Sequence, residues 1–220
     1  MGKNKPWLVS IVFVVGGACS KTEDPPRPAA ASVTVAPSVP VVPVADPAPQ
    51  PAPAEPSLVE RLVASTTLTE ALEIVRPQMT DTTNEVSPGA LALALWATEH
   101  LRWPDVAVAQ NETSFARVRK DPDAARGKRM CFRAQIIQIT KAELGAGSVF
   151  SGLTLSAGAQ IARFIAVGST GDLVENSGAR FCGVVIGTYD YSNSGGGTGH
   201  AISVVGMFDL PENRAAATTE

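Results

Sequence analysis

The apolar positions after residue 56 first follow a helical period. Ser57 and Glu60 have the spacing of a capping box, and Thr67 and Glu70 repeat this spacing a little further along. Aliphatic residues follow each box at intervals of three and four, which is the spacing that brings side chains to one face of a helix. The pattern predicts two short amphipathic helices.

A third helical pattern begins at Ser87, which can act as an N-cap and is followed by a proline at the first helical position. Leu91, Leu95 and the ring of Trp96 are expected to share one face of this helix. We therefore predict that residues 57–110 form a small helical hairpin region with two or three α-helices.

The pattern changes after Phe115, where short β-branched and alternating runs replace the helical period. Gly, Ser, Asn and Asp separate these runs, which indicates turns, and a single turn of helix is expected within 168–177. Glycines inside the runs suggest a small, strongly bent barrel. The five predicted strands are 131–139, 149–155, 161–167, 180–188 and 201–208.

Two stretches resemble the OB-fold: residues 127–131, which lead into a long first strand, and residues 183–187, which end the fourth. The same order is similar to the OB-like domains, of the tRNA-anticodon-binding-like type, found in exported bacterial proteins. Residues 179–183, 189–193 and 205–209 resemble lipoproteins of delta-proteobacterial type. The resemblance implies a mainly β fold, with a five-stranded OB-like barrel in 115–213 preceded by the helices. It transfers no catalytic residue.

The amino-terminal residues have the layout of a bacterial secretory signal. A short basic start precedes an uncharged apolar run at 7–15, which is too short to span a bilayer stably. The small residues before Cys19 resemble a lipobox, which implies that 1–18 are a signal peptide and that Cys19 is lipidated. An ordinary signal peptide with an incidental cysteine is the alternative. The expected location is the periplasmic side of the cell envelope, with Ser20 favouring the outer membrane.

Residues 19–56 are dominated by Pro, Ala and Val and are expected to form an extended tether, because dense proline forbids helix. At about 3.1 Å per residue such a tether reaches on the order of 100 Å. Residues 214–220 are expected to be a disordered tail. The partner implied by Cys19 is a membrane, contacted through the lipid anchor.

Three cysteines occur in the chain, and lipidation would use one of them. Cys131 and Cys182 then remain in an oxidising compartment, where pairing is expected. In an OB-fold the first and fourth strands pair, and these two residues lie near the starts of those strands, so the resemblance also favours a disulfide. Two buried free thiols are the alternative.

Charge argues against a nucleic-acid partner. The formal net charge is -3, and the second and third strands offer Phe150 and Phe164 with Arg163 as their only basic residue. Further basic residues cluster in 117–133, where Asp121 and its neighbours dilute them. A solvated face explains that cluster better than a binding surface does.

Candidate chemistry is sparse. The chain has two histidines and no Gly-x-Ser-x-Gly motif, and no set of ligands has zinc or calcium spacing. His200 and Asp190 could pair across a hairpin, although a strand-end histidine is more often only solvated. We therefore nominate no catalytic residue, metal or cofactor and predict that the protein is not an enzyme.

The glycine-rich stretch 195–199 lacks the lysine and the following helix of a phosphate-binding loop, so it is interpreted as a hairpin tip. Loops at this position contribute to ligand sites in OB-folds, which makes Tyr189, Tyr191 and His200 the candidate ligand-binding residues. Two hypotheses follow. The first is a membrane-tethered interaction or structural module that contacts an envelope protein or a glycan. The second is a binder of a small ligand, oligonucleotide or glycan on the OB-like face.

Overall fold

The computed structural model describes residues 56–144, 147–193 and 195–216. The predicted signal peptide, Cys19 and nearly all of the predicted tether lie outside the described residues. So do residues 217–220 of the predicted tail, whereas Arg214 and Ala215 belong to a short terminal helix, α7, at Pro211–Ala215.

The first two helices are α1 at Leu58–Ala64 and α2 at Leu68–Val75. Both predicted capping boxes are confirmed. In α1 the Ser57 backbone N–H donates to Glu60 Oε2 over 2.7 Å, and the Glu60 N–H donates to Ser57 Oγ over 3.3 Å. Each box satisfies amide groups that have no partner inside the helix, which fixes where the helix begins.

The third helix, α3 at Pro88–His100, packs on a face different from the predicted one. Leu91 and Leu95 are exposed, whereas Trp96 is buried and donates its ring N–H to the Ser65 carbonyl over 3.0 Å. The expectation that these three residues share a face is wrong because the small side chains of α3 allow closer packing. The buried face consists of Gly89, Ala90, Leu93, Ala94, Trp96 and Ala97.

The segment between α3 and the first long strand contains three more short helices, beyond the two or three helices predicted. Two of them begin at a capping side chain: Ser114 accepts a hydrogen bond from the Arg117 N–H, and Asp121 accepts one from the Ala124 N–H. The helical turn predicted within 168–177 is absent from that described stretch, because Gly168, Gly171 and Asn176 adopt positive φ angles that a helix excludes. The short helices are α4 at Trp103–Val106, α5 at Phe115–Lys120 and α6 at Pro122–Ala125.

All five predicted strands are confirmed. Four of them are longer than predicted, and the strand at 160–166 begins and ends one residue earlier than predicted. A further two-residue strand pairs with the sheet edge. Strand accounts for 39% and helix for 32% of the described residues, so the mainly β prediction is confirmed. The strands are β1 Thr82–Thr83, β2 Arg129–Leu144, β3 Gly147–Ser156, β4 Gln160–Ala166, β5 Gly178–Ser192 and β6 Thr198–Phe208.

The five long strands close into a ring. β2, β3 and β4 form an antiparallel meander, and β2 also pairs antiparallel with β5. β4 pairs parallel with β6, and β5 pairs antiparallel with β6, which completes the closure. β1 adds in parallel to β5 at Tyr189 and Asp190.

Apolar residues fill both sides of this sheet. Inside the ring, the rings of Phe132, Phe164, Phe181 and Phe208 pack in a chain with centroids 5.0 to 5.8 Å apart. On the outer side, α1, α2 and α3 cover an aliphatic cluster that includes Val184 of β5. The helices and the ring therefore share one continuous fold, in which β5 and β6 are central.

Cys131 and Cys182 form a disulfide, which confirms the predicted pairing. They lie directly opposite each other in the β2–β5 ladder, with Cα atoms 4.1 Å apart. The bond ties the first long strand of the ring to the fourth, so the two strands that the resemblance expected to be neighbours are linked covalently.

Candidate functional site

Tyr189 and Tyr191 lie together on the outer part of β5, beyond the region that the helices cover. Because side chains alternate along a strand, residues two positions apart point to the same face. The two rings are nearly parallel, with 13° between their planes and centroids 6.2 Å apart. They form a pair of aromatic surfaces at the edge of the ring.

Arg163 of β4 lies beside this pair and contacts the Tyr189 ring. Its neighbours Ala162 and Phe164 belong to the interior of the ring, so alternation turns the Arg163 side chain outward. The guanidinium carbon lies 4.2 Å from the centroid of the Tyr189 ring, which is a cation–π contact. Arg163 also donates from Nη1 to the backbone carbonyl of Glu85.

These three residues line a groove of about 320 Å³ that runs across β2, β3 and β4. Apart from Arg163, its lining carries no charged side chain among the residues that the structure describes. Uncharged polar groups face it instead, which suits hydrogen bonding to a neutral ligand. The lining is completed by Asn84, Gln138, Thr140, Ser151, Gly152, Leu153 and Ser192.

Asn84, which lines the groove, belongs to the segment 80–87, which contains β1 and which we call the strap. Asp81 fixes its start by accepting a hydrogen bond from the Thr188 backbone N–H over 2.7 Å and by pairing with Arg126 at 2.9 Å. Further along, the Asn84 N–H donates to the Asp190 carbonyl over 2.9 Å. The strap therefore holds the Glu85 carbonyl where Arg163 reaches it.

Tyr191 lies flat across the neighbouring strand because its register partner is a glycine. Tyr191 pairs with Gly199 of β6, and a Cβ built at Gly199 would lie 2.3 Å from Cζ of the Tyr191 ring. Any other residue at this position would force the ring to move. Gly199 therefore fixes the position of the Tyr191 ring, although it does not itself line the groove.

The predicted hairpin tip is confirmed for the residues described there. Asn193 Oδ1 accepts hydrogen bonds from the Gly195 and Gly197 amides over 3.0 and 2.9 Å, which closes the turn between β5 and β6. The glycine-rich stretch therefore acts as a turn, and its amides are engaged by Asn193.

The third candidate residue, His200, lies away from the tyrosines. Its register partner is Asp190, and the two side chains meet across the hairpin with 2.6 Å between Nδ1 and Oδ1. Asp190 sits between the two tyrosines in sequence and so points to the opposite face of β5. The structure brings Tyr189 and Tyr191 together and separates both of them from His200.

Arg163 is the residue of this site that sequence reasoning did not nominate. The sequence marked it only as the one basic residue of the second and third strands, and it lies 26 positions before Tyr189. Its outward direction follows from the alternation of β4, but its contact with Tyr189 depends on the parallel pairing of β4 with β6 and on the β5–β6 hairpin.

A larger cavity, of about 600 Å³, lies elsewhere, between α2, α4, α6 and the start of β2. Two of its charged groups, Glu112 and Arg129, pair with each other. Arg129 binds both carboxylate oxygens of Glu112, through its side chain and its backbone N–H. Partial burial would raise the pKa of Glu112, but the Arg129 hydrogen bonds and the nearby charge of Lys128 outweigh this and lower it.

The described residues contain neither a metal cluster nor a membrane-spanning helix. Across 56–144, 147–193 and 195–216, no three His, Cys, Asp or Glu residues come together in a way that could hold a metal ion. In those ranges no helix has the length and apolar character needed to cross a bilayer.

Comparisons of the chain with protein-family models, with curated proteins and with solved structures found no match.

Proposed function

We propose that this protein is a lipid-anchored envelope protein whose OB-like domain binds a glycan in the groove of Arg163, Tyr189 and Tyr191. The strand pairing supports the OB-like assignment. The first strand of the meander pairs with the fourth strand of the ring, and the third pairs in parallel with the fifth. The ring is small, and its interior is filled by side chains, as in barrels of this size.

The anchor is proposed from the sequence alone. A basic start, a short apolar run and small residues before Cys19 support cleavage and lipidation there. Cys19→Ala should move the protein to the soluble fraction or leave it unprocessed, as checked by fractionation and mass spectrometry. A variant that is processed normally and stays in the membrane would contradict the anchor.

The choice of a glycan rests on one observation: the groove combines aromatic ring faces with uncharged hydrogen-bonding side chains. Sugar rings have apolar faces that pack on aromatic rings and hydroxyl groups that need donors and acceptors around them. The amide groups of Asn84 and Gln138 and the hydroxyl groups of Thr140 and Ser151 supply both. A nucleic acid fits less well, because its many phosphates would face only one cation.

Binding rather than catalysis is the proposed role of this groove. General acid–base catalysis needs a titratable group placed at the reacting bond. The groove lining offers Arg163 and two tyrosines but no carboxylate or imidazole. His200 and Asp190, which could supply such chemistry, lie on the opposite face of β5.

The test uses the full mature protein, solubilised in detergent, and isothermal titration with tetrasaccharides of glucose and of N-acetylglucosamine. Wild-type protein should bind at least one of them. Tyr191→Ala should lose most of this affinity, because it removes one of the two aromatic rings that line the groove. Stacking of a nucleobase on an aromatic side chain is worth about 1–3 kcal/mol, and we expect a contribution of similar size from a sugar ring.

His200→Ala is the matched control, since it alters the same hairpin on the face away from the groove. It should bind as the wild type does. Equal losses in both variants would indicate damage to the hairpin rather than removal of a contact. Capture of an envelope protein that survives Tyr191→Ala, with no glycan binding by the wild type, would favour a protein-interaction module instead.

A further inference from the structure

Arg163 of β4 is partly buried and has no acidic partner within the described ranges. Among the residues that the structure describes, no carboxylate lies within ion-pair distance of it, and its recorded contacts are the Glu85 carbonyl and the Tyr189 ring. Four other arginines are each paired with a carboxylate. These pairs are Arg126 with Asp81, Arg129 with Glu112, and Arg180 and Arg214 with Asp209.

Partial burial makes the unpaired charge of Arg163 energetically unfavourable. Arg163 is only partly exposed, and burial lowers the pKa of its guanidinium, an effect that the neighbouring Tyr189 partly opposes. A charge withdrawn from water is normally paired, and a cation–π contact compensates for only part of the lost hydration. The site is therefore electrostatically incomplete without a negative group.

The guanidinium also has more N–H donors than the described residues use. It carries five N–H groups in a planar fork, and the described residues engage it through one hydrogen bond, from Nη1 to Glu85. A planar fork of this kind matches the two oxygens of a carboxylate or a phosphate. A phosphate monoester carries nearly two charges at neutral pH, and no second cation lines the groove to meet the excess. A carboxylate matches the single charge of Arg163.

We propose that Arg163 binds the carboxylate of an acidic sugar, so that the preferred ligand of the groove is a glycan whose repeating unit carries one carboxylate. This inference rests on the proposed function, because the sugar ring itself would occupy the tyrosine surfaces. Arg163 lies 4.2 Å from the Tyr189 ring, and the Tyr191 ring lies 6.2 Å from the same ring. One ligand can therefore contact a ring face and the cation together.

The experiment compares two tetrasaccharides that differ in the carboxylate, one of glucose and one of glucuronic acid, in titrations of the solubilised mature protein at low ionic strength. The wild type should bind the glucuronic acid form about tenfold more tightly, as expected for one charge-assisted contact. Arg163→Gln should bind both equally, at the affinity that the wild type has for the glucose form. Arg163→Lys, which keeps the charge but loses the fork, should retain part of the preference.

Added salt supplies a second readout. The preference of the wild type should shrink as the salt concentration rises, whereas binding of the glucose form should change little. Melting temperatures of the arginine variants, measured alongside, show that they are folded. If Arg163→Gln is unfolded, the salt dependence of the wild type and the Arg163→Lys result decide the question.

The outcomes separate this inference from the proposed function. If the wild type binds both tetrasaccharides equally and Tyr191→Ala loses both, the groove binds glycans and the carboxylate assignment is wrong. If the dipeptide Ala-Ala, which carries a carboxylate without a sugar, displaces the glucuronic acid form at similar concentration, the acidic group belongs to a peptide and the inference is also wrong. If neither tetrasaccharide binds, this inference is overturned, and if the N-acetylglucosamine tetrasaccharide does not bind either, the proposed function is overturned as well.

Discussion

The two halves of the β5–β6 pair have opposite characters. In the inner half, which we define as 181–187 with its partners 203–208, every residue is buried. In the outer half, 188–192 with its partners 198–202, every described residue except Ala201 and Ile202 is at least partly exposed. One continuous hairpin therefore stabilises the fold at one end and presents the candidate site at the other.

The difference arises from what covers each face. Along the inner half, Phe181 and Val185 point into the ring, whereas Cys182 and Val184 point to the layer covered by the helices. Both faces are thus removed from water, and the sequence is a nearly continuous apolar run. The outer half extends past the helices, and its alternating Tyr, Asp and Tyr residues match a strand with two distinct, solvated faces.

The largest expected effect on the inner half comes from the disulfide. Replacing Cys131 and Cys182 together by alanine should lower the free energy of unfolding by about 4 kcal/mol, because the bond closes a loop of 51 residues. Urea unfolding followed by circular dichroism measures this loss.

Glycan binding by the folded fraction should remain, since the disulfide lies outside the groove. Mass spectrometry without reduction should find no free thiol on either residue of the wild type. Two alkylatable cysteines there would contradict the bond.

A smaller but still large effect is expected at Gly206, also in the inner half. A Cβ at this position would lie 2.1 Å from the Cys182 carbonyl oxygen, so Gly206→Ala forces two paired strands apart. We expect a loss of about 3 kcal/mol. Gly178→Ala, where a Cβ meets nothing within 4 Å, is the matched control and should change stability little. Equal unfolding midpoints for the two variants would show that the inner half is less tightly packed than described.

The sequence predicted the elements of the fold better than the candidate site, for a physical reason. Capping boxes, strand periodicity and the pairing of Cys131 with Cys182 depend on local patterns or on compartment, and all three were confirmed. The buried face of α3 was predicted wrongly, because Leu91 and Leu95 have the right character for a core but small residues pack closer. Size complementarity across an interface is not visible in one helix alone.

The groove was only partly predictable. Tyr189 and Tyr191 could be nominated from one strand, but Arg163 and Glu85 come from other elements and meet them only when the ring closes. His200 was grouped with the tyrosines because it is close in sequence. Strand register places it on the other face, and a change of one residue in that register would have reversed the assignment.

In the outer half, Gly199→Ala should affect binding far more than stability. The added methyl group would collide with the Tyr191 ring, which must then leave its place over β6. We expect a loss of glycan affinity of about tenfold, equivalent to one displaced stacking contact, and a change in unfolding free energy below about 1 kcal/mol. Titration and urea unfolding of the same preparation measure both. A stability loss as large as that of Gly206→Ala would remove the distinction between the two halves.

The smallest effect is expected for Asp190→Asn, which changes the outer half on the face away from the groove. The Asp190 side chain pairs with His200, which is largely exposed, and pairs of this kind contribute at most about 1 kcal/mol. The Asp190 carbonyl, which accepts the strap hydrogen bond from Asn84, is unaffected by the substitution. Both the melting temperature and the glycan affinity should therefore stay close to those of the wild type. A clear loss of affinity would mean that ligand reaches around the edge of β5, and the two faces of the outer half would then form one site.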